Sequence, residues 1–561
     1  MIAYLEQFVK QISRPKSWLI LANVLLVFFL ILLNNLHILP LRMGDFLFFA
    51  FLTLAFALYR PGWAFLFFIG TIALENINLA PAQLGMALRP YQFIGALTML
   101  ALIIRFIFKR LNFELPKLKW FDALIGIIVI AGFLSTLNAP DKILSFKLSI
   151  IIFSFSILYL LSRIYIQTFE DLKRIVPFFL SSSVIVILYG VWQNIRFIYG
   201  GSNFETMPGR PNATFAEADW LGIFIVFCLA VIYVIVYYCH SELAEESNPK
   251  ISNFSRQSGT PPRRWQIPIS NKITNSKFQI PIRNSKFSIL NSFLHILLTT
   301  LYIILILTVS RSAWLGAGFV TIIFLFIILT NLKFNPKNWQ FRCFLKTLTN
   351  FAIAIFVSFL LIYIFHLTNF QLFNRAQSSG GLQKITIACE KEIALPNSIN
   401  NISELAKYNC RHINLENIAQ EKAAGQFVTE IYRTDPNVNI RQIIYQKSWE
   451  QINNHLILGI GWGSIGKILG ADERGAALNS SNIFLEVWLG SGILGIISFV
   501  LIWIIILISG LRNFLKENPE SKIFGLFLIL SVFALLIPNL FNAGILLGIL
   551  WLFWGASQIE F

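Results

Sequence analysis

The chain is divided into long apolar runs, and this limits what it can fold into more than any other feature. The runs fall near 17–39, 44–59, 62–77, 91–108, 121–138, 147–164, 174–198, 218–238, 290–309, 312–331, 350–367, 483–510, 523–538 and 543–557. Hydrocarbon about 30 Å thick takes roughly 20 apolar residues to cross as a helix, and a helix satisfies its own backbone there. The runs are continuously apolar, without the period-two alternation of a membrane β-barrel. With 56% hydrophobic residues against 13% charged, the reading is an all-α polytopic membrane protein of about 12–14 transmembrane helices. The third run and the last two are short, which leaves tilted helices, re-entrant segments or a single broken span open.

Charge sets the expected orientation, because Lys and Arg in short loops stay on the cytoplasmic side. Lys10, Arg14 and Lys16 precede the first run; Lys109, Arg110, Lys117 and Lys119 follow the fourth; Arg163, Lys173 and Arg174 join the sixth and seventh; Lys333, Lys337, Arg342 and Lys346 follow the tenth. Counted by parity, all four clusters share one side, so both termini are expected in the cytoplasm. The net charge of +17 therefore reads as a topology signal with some attraction for membrane lipids, and not as a nucleic-acid footprint. The first run is too long for a cleavable signal peptide and no small-residue cleavage site follows it.

Two long interruptions divide the membrane helices into 1–238, 290–367 and 481–561. The first, 239–289, holds eight Lys or Arg against three Glu, which places it in the cytoplasm. Its "SRQSGTPPRR" linker and repeated NSKF lack core-forming residues, so disorder is expected. The second, 368–480, has eleven basic and ten acidic residues and by parity lies outside. In "NIRQIIYQKSWEQINNHLI" Ile440, Ile444, Ser448 and Ile452 share one helical face. A mainly helical outer (periplasmic) domain of two or three helices follows. Cys389 and Cys410 there either bridge or stay as inert thiols; Cys228, Cys239 and Cys343 have no metal-ligand spacing.

Four arginines fall at outer helix mouths or in the outer loop: Arg89, Arg210, Arg311 and Arg441. Arginine at a lipid boundary must snorkel, pair or line a wet cavity. Taken singly each reads as an interfacial anchor, but together they point to an anion site, since a guanidinium fork suits bidentate contact with phosphate. A nucleotide site is not the reading. "GWGSIGK" at 461–467 matches the Gly and Lys spacing of a phosphate loop, yet Ile468 stands where Ser or Thr would hold magnesium, and the segment is expected to be a flexible turn that packs the outer domain against the membrane. With no His or Cys cluster for zinc, no metal and no cofactor is expected. A diphosphate at the outer leaflet fits better.

Four stretches carry a resemblance. "GRPNATFAEADWLGIF", "SRSAWLGAGF", "RQIIYQKSWEQINNHLILGIGWG" and "SSNIFLEVWLGSGILGI" occur in this order between 209 and 497, and the set resembles the O-antigen ligase and Wzy-type polymerase superfamily of bacterial surface-polysaccharide enzymes. The resemblance implies a metal-independent membrane glycosyltransferase of lipopolysaccharide biosynthesis. Such an enzyme moves a saccharide from undecaprenyl diphosphate to an acceptor hydroxyl, on lipid A core oligosaccharide or similar, at the outer face of the inner membrane. Arg210 and Arg311 match the family's functional arginines; Arg89 and Arg441 follow as diphosphate or saccharide contacts.

Two departures stand out. Leu456 replaces the proline of the family's Gly-rich turn, and Ser481-Asn482 stands where the family usually begins His-Asn. Serine is no general base near neutral pH without help. Acceptor activation then falls to Glu217, Asp219, His455 or Glu486, or Ser481 only positions the acceptor, or the protein is an inactive relative. For Glu217 and Asp219 a helix-dipole contact is the simpler role, and for His455 packing or capping. The acceptor itself, whether glycolipid, growing glycan or protein, is not legible, so a polymerase and a protein O-oligosaccharyltransferase stay open. A transporter or flippase would instead need charge at the midplane and broken helices.

Overall fold

The computed structural model describes residues 15–559 apart from 112–114, 201–209, 247–281, 333–338, 369–381, 401, 414–417, 435 and 471–477. The expected disorder of the basic insertion therefore lies largely outside the described residues, as do Lys10, Arg14, Lys333 and Lys337. Among the described residues, eleven α-helices precede the long loop: α1 Pro15–Asn35, α2 Met43–Tyr59, α3 Pro61–Thr71, α4 Pro90–Ile107, α5 Trp120–Ser135, α6 Lys142–Tyr165, α7 Phe169–Ile198, α8 Ala218–Glu246, α9 Ile282–Leu307, α10 Arg311–Thr330 and α11 Phe341–Ile364. The loop carries β1 Leu382–Cys389, β2 Ser398–Ile399, β3 Cys410–His412, α12 Ile418–Ala423, β4 Phe427–Thr434, α13 Pro436–Asn454 and α14 Ile465–Leu469; after it come α15 Ile483–Leu515, α16 Pro519–Asn539 and α17 Gly548–Ala556.

Every apolar run has become a helix, and among the described residues ten helices are long and apolar enough to cross a membrane. The chain is a polytopic membrane protein. α3, of 11 residues, and α17, of 9, rise only about 14–16 Å. Each reaches about halfway through the hydrocarbon. The third run is thus a half-helix followed by irregular backbone over 72–89, and the last a half-helix preceded by irregular backbone over 540–547. α16, by contrast, is a full span of 21 residues. α8 and α9 extend into the insertion as far as Glu246 and from Ile282, because "SELAEE" consists mostly of good helix formers.

Polar contacts between helices give their directions. Asn23 of α1 donates to Ser182 Oγ of α7 (2.7 Å) and Tyr189 of α7 to Asn35 Oδ1 (2.7 Å), so α1 and α7 run parallel. At one end, Lys173 pairs with Glu520 (2.9 Å) and Lys119 Nζ donates to the Gln558 carbonyl (3.2 Å). The basic residues before α5 and at the start of α7 collect there. Arg163 differs from the loop charge it was expected to be: it is 4% exposed and ion-paired with Asp122, since a lone buried guanidinium would be costly.

The long loop corrects one expectation. α13 forms as its periodicity predicts, but beside it lies a four-stranded sheet in the order β2-β4-β1-β3, so the domain is mixed rather than mainly helical. The reason is the alternation in "KITIAC", which sends Ile385, Ile387 and Cys389 into a core with Ile399, Leu405 and Ile431. Cys389 faces Cys410 across β1 and β3, and the two are bridged. Replacing both cysteines by alanine should cost the loop about 3 kcal/mol, from the chain entropy that the bridge removes. Protease resistance of the loop measures this, and unchanged cleavage rates would count against it.

The loop returns to the membrane through the Gly-rich turn, which is interlocked with α15. Gly492 breaks α15 with φ 63°, a conformation nearly confined to glycine. The backbone groups the break releases bond the turn instead: Ile460 and Gly461 N–H donate to the Leu489 carbonyl (2.8 and 3.1 Å), and Ile493 N–H to those of Leu456 and Ile457 (both 3.1 Å). Trp462 fills a slot between Gly132 of α5 and Gly490 of α15. Lys467 reaches Asp141 at 3.6 Å, whose carboxyl is held below its usual range by the Leu144 N–H and by that lysine. "GWGSIGK" thus packs the loop onto the helices, but as a tightly bonded joint rather than the flexible turn expected, because its backbone fills the break in α15.

Candidate active site

At the end of the bundle opposite the basic clusters, the segment before α8 folds back onto the irregular backbone after α3. Thr214 Oγ1 donates to the Ala73 carbonyl (2.6 Å) and Asn76 N–H to the Thr214 carbonyl (2.7 Å). Ala213 N–H donates to Gln193 Oε1 (2.8 Å). This seats Arg210, 8% exposed, where Nε donates to the Thr308 carbonyl (2.9 Å) and Nη2 pairs with Asp219 Oδ1 (3.2 Å). Asp219 lies in the first turn of α8, where a carboxylate is favoured by the helix dipole; Glu217, just before it, is exposed.

Thr308 belongs to the tight turn between α9 and α10. Ser310 caps α10 by accepting from Ala313 N–H (3.4 Å) and lies 3.2 Å from Ser312 Oγ. Between these two hydroxyls the exposed side chain of Arg311 opens the helix. The two arginines singled out by motif are therefore neighbours through the Thr308–Arg311 turn, one buried and paired and the other at the surface.

Asn482 caps α15, its Oδ1 accepting from Phe484 N–H (2.9 Å) and Leu485 N–H (3.2 Å), while its Nδ2 donates to the Leu540 carbonyl (3.0 Å). Ser481 has φ 49°, its N–H donating to Asn479 Oδ1 (2.9 Å) and its carbonyl 3.5 Å from the Tyr445 hydroxyl. Glu486 accepts from Ser480 Oγ at 2.6 Å, which gives it a structural task at the start of α15. His455 ends α13 and helps form the turn through its backbone, N–H to the Gln451 carbonyl (3.0 Å) and carbonyl from Gly459 N–H (2.8 Å).

These separate stretches meet on a segment that carries no charge. Residues 540–547 touch the Asn482 cap, the Ser310–Ser312 turn and α13: the Leu540 carbonyl accepts from Asn482, the Phe541 ring lies 5.8 Å from the Arg441 guanidinium, and Asn542 Nδ2 donates to Ser312 Oγ (3.0 Å). The Leu546 carbonyl accepts from Arg89 (2.7 Å). Arg89 is in turn ion-paired with Glu75 (2.7 Å), a carboxylate 1% exposed. Sequence reasoning missed both this segment and Glu75. The 540–547 segment has no local signal, whereas Glu75 is the one charge inside the third apolar run, and an ionisable group there is a pointer in itself.

Among the described residues no group of three or more His, Cys, Asp or Glu is placed to hold a metal ion. What the site offers is two guanidinium groups, the amides of Asn482 and Asn542, several hydroxyls and the Asp219 and Glu217 carboxylates. Such a set can hold a multiply charged phosphate and hydrogen-bond a sugar. Residues 295–500, just over a third of the chain, match the family model for O-antigen ligase. Over these residues the chain is similar to the O-antigen ligases. With the membrane helices, this match supports a membrane glycosyltransferase of the ligase and polymerase type. The O-antigen ligase match takes in the Ser310–Ser312 turn, the long loop and Ser481-Asn482. Arg210 and residues 540–547, which the fold brings against these, lie beyond its two ends. No curated protein matches the chain, and no solved structure does.

Proposed function

We propose that the protein transfers a saccharide from undecaprenyl diphosphate to an acceptor hydroxyl, of lipid A core oligosaccharide or a similar glycan, at the outer face of the bacterial inner membrane. The observation that carries this is the convergence on the Thr308–Ser312 turn of Arg210 from one side and of residues 540–547, which also hold Asn482, from the other. The acceptor oxygen attacks the anomeric carbon, the bond from that carbon to the diphosphate breaks, and the diphosphate leaves with the electron pair. Arg311, with Arg210 behind it, stabilises the charge that develops there, which fixed cations do well in a water-poor site. Asp219 or Glu217 takes the acceptor proton, and Ser481 positions the acceptor by hydrogen bonding. Arg441 on α13 contacts the saccharide. Grouped basic residues at the opposite end of the bundle and a disulfide in the long loop support a periplasmic site with both termini in the cytoplasm.

A second reading, translocation of the same lipid-linked saccharide, draws on the two half-helices and the ion pair between them. Against it, the hydrogen bonds of that pair run to the chain's own backbone and Tyr91. Reconstitution in proteoliposomes with polyprenyl-diphosphate saccharide and each acceptor in turn separates the two. Product from an added glycan or glycolipid supports transfer; movement of donor across the bilayer without product would replace it by translocation. Ser481→His should leave the rate within about threefold if Asp219 or Glu217 already serves as base, and a gain of about 10²-fold or more would instead mark a site that has lost its base.

A further inference from the structure

Two short helices meet inside the membrane part of the molecule, and one carboxylate spans their junction. Glu75, four residues past the end of α3, accepts from Gly548 N–H at the start of α17 through Oε1 (2.7 Å) and from the Tyr91 hydroxyl through Oε2 (2.8 Å). Its Oε2 is also 2.7 Å from Arg89 Nη1. That same nitrogen lies 2.8 Å from Tyr91 Oη and 2.7 Å from the Leu546 carbonyl, so three acceptors share its two hydrogens. The Phe155 ring lies 5.7 Å from the guanidinium.

The electrostatics of the junction are consistent throughout. A helix N-terminus favours a negative charge and disfavours a positive one. Glu75 stands at the N-terminus of α17, while Arg89, the residue before α4, occupies the unfavourable place at another N-terminus and is offset by Glu75. Each charge makes the other tolerable, and removing one would strand its partner.

What the pair holds is the backbone at 546–548, and the chain from there back to Asn542 is short. Only Ala543, Gly544 and Ile545 separate Asn542 from Leu546, a span of less than about 14 Å even when extended, and they are tightened further by a turn over Gly544–Leu546 and by Gly544 N–H bonding Asn539 Oδ1 (3.0 Å). A shift at 546–548 therefore moves Asn542 and Phe541, which touch Ser312 and face Arg441.

We propose that Glu75 and Arg89 form a clamp that fixes residues 540–547 against the Ser310–Ser312 turn, so that both act as positioning residues and Arg89 does not itself hold substrate. The kinetic consequence rests on the functional reading above; the structural one does not. Glu75→Gln, Arg89→Gln and the double variant, each full-length in lipid nanodiscs, test it by hydrogen exchange and by saccharide-transfer kinetics. Each single variant leaves an uncompensated buried charge and should raise amide exchange over 540–547 by about tenfold or more, with the rest of the bundle unchanged; the double variant should recover most of that protection. Turnover should fall by roughly tenfold or more in the single variants, with KM for the lipid-linked donor within about threefold, because the interaction lost is not one with substrate.

Should a single variant fail to fold, Tyr91→Phe keeps the ring and removes only the shared hydroxyl, with a smaller rise expected over the same residues. Unchanged exchange over 540–547 in the variants that fold would overturn the clamp whatever the activity. A large rise in donor KM for Arg89→Gln with turnover intact would overturn it too, by making Arg89 a substrate contact. If the wild-type protein transferred no saccharide while the exchange pattern held, the functional reading would fall and the clamp would stand.

Discussion

Replacing Arg311 by alanine should lower saccharide transfer by about 10²- to 10³-fold, the usual consequence of deleting a fixed donor that faces charge developing in a transition state. The fold should survive. α10 keeps its cap, since Ser310 accepts from Ala313 N–H without Arg311, and the arginine side chain is exposed where Arg210 is buried. Arg311→Lys should recover only part of the rate, because a lysine supplies the charge but not the two-pronged geometry that fits a diphosphate. Initial rates in proteoliposomes, with thermal unfolding as control, decide the matter. Equal product from Arg311→Ala protein would remove the diphosphate role.

The largest loss of stability is expected at Trp462. Its indole is 2% exposed and lies against Gly132 and Gly490, where even a methyl group on either glycine would collide with it. Truncation to alanine leaves a cavity between α5, α15 and the Gly-rich turn, and should cost about 3–5 kcal/mol. Trp462→Phe should be much milder, because the indole N–H has no hydrogen-bond partner among the described residues and nothing polar is stranded by its loss. Thermal unfolding in one detergent compares the two. An alanine variant that melts with the wild type would mean the slot closes on itself and the joint is held by its backbone bonds alone.

The membrane architecture was legible because hydropathy is a local property, and each of the fourteen apolar runs became a helix. The places where the chain abandons the helix were not. Whether residues 72–89 and 540–547 can remain irregular depends on partners far away in sequence, such as Glu75 for Gly548 N–H and Thr214 for Asn76 N–H, since polar backbone at that depth must be satisfied by protein. The sheet was missed for a different reason. Its period-two signal, Ile385, Ile387 and Cys389, is short and lies in the same loop as the longer helical pattern of α13. At the candidate site, charge marked Arg210, Arg311 and Asp219, whereas Leu540, Phe541 and Asn542 offered neither charge nor motif. Arg89 was noticed without its partner, which alone explains why an arginine is tolerated there.

The joint between the Gly-rich turn and α15 bears on how a bulky lipid-borne substrate could arrive. Since the break at Gly492 is filled by the carbonyls of Leu456 and Ile457, the loop's downstream root cannot lift without unpicking a membrane helix. That root behaves as a rivet: at this edge the loop is fixed to the bilayer-spanning part and does not rise like a hatch. On the proposed function, a lipid-linked donor would then enter sideways, through the bilayer, with its sugar passing under a loop pinned along one edge.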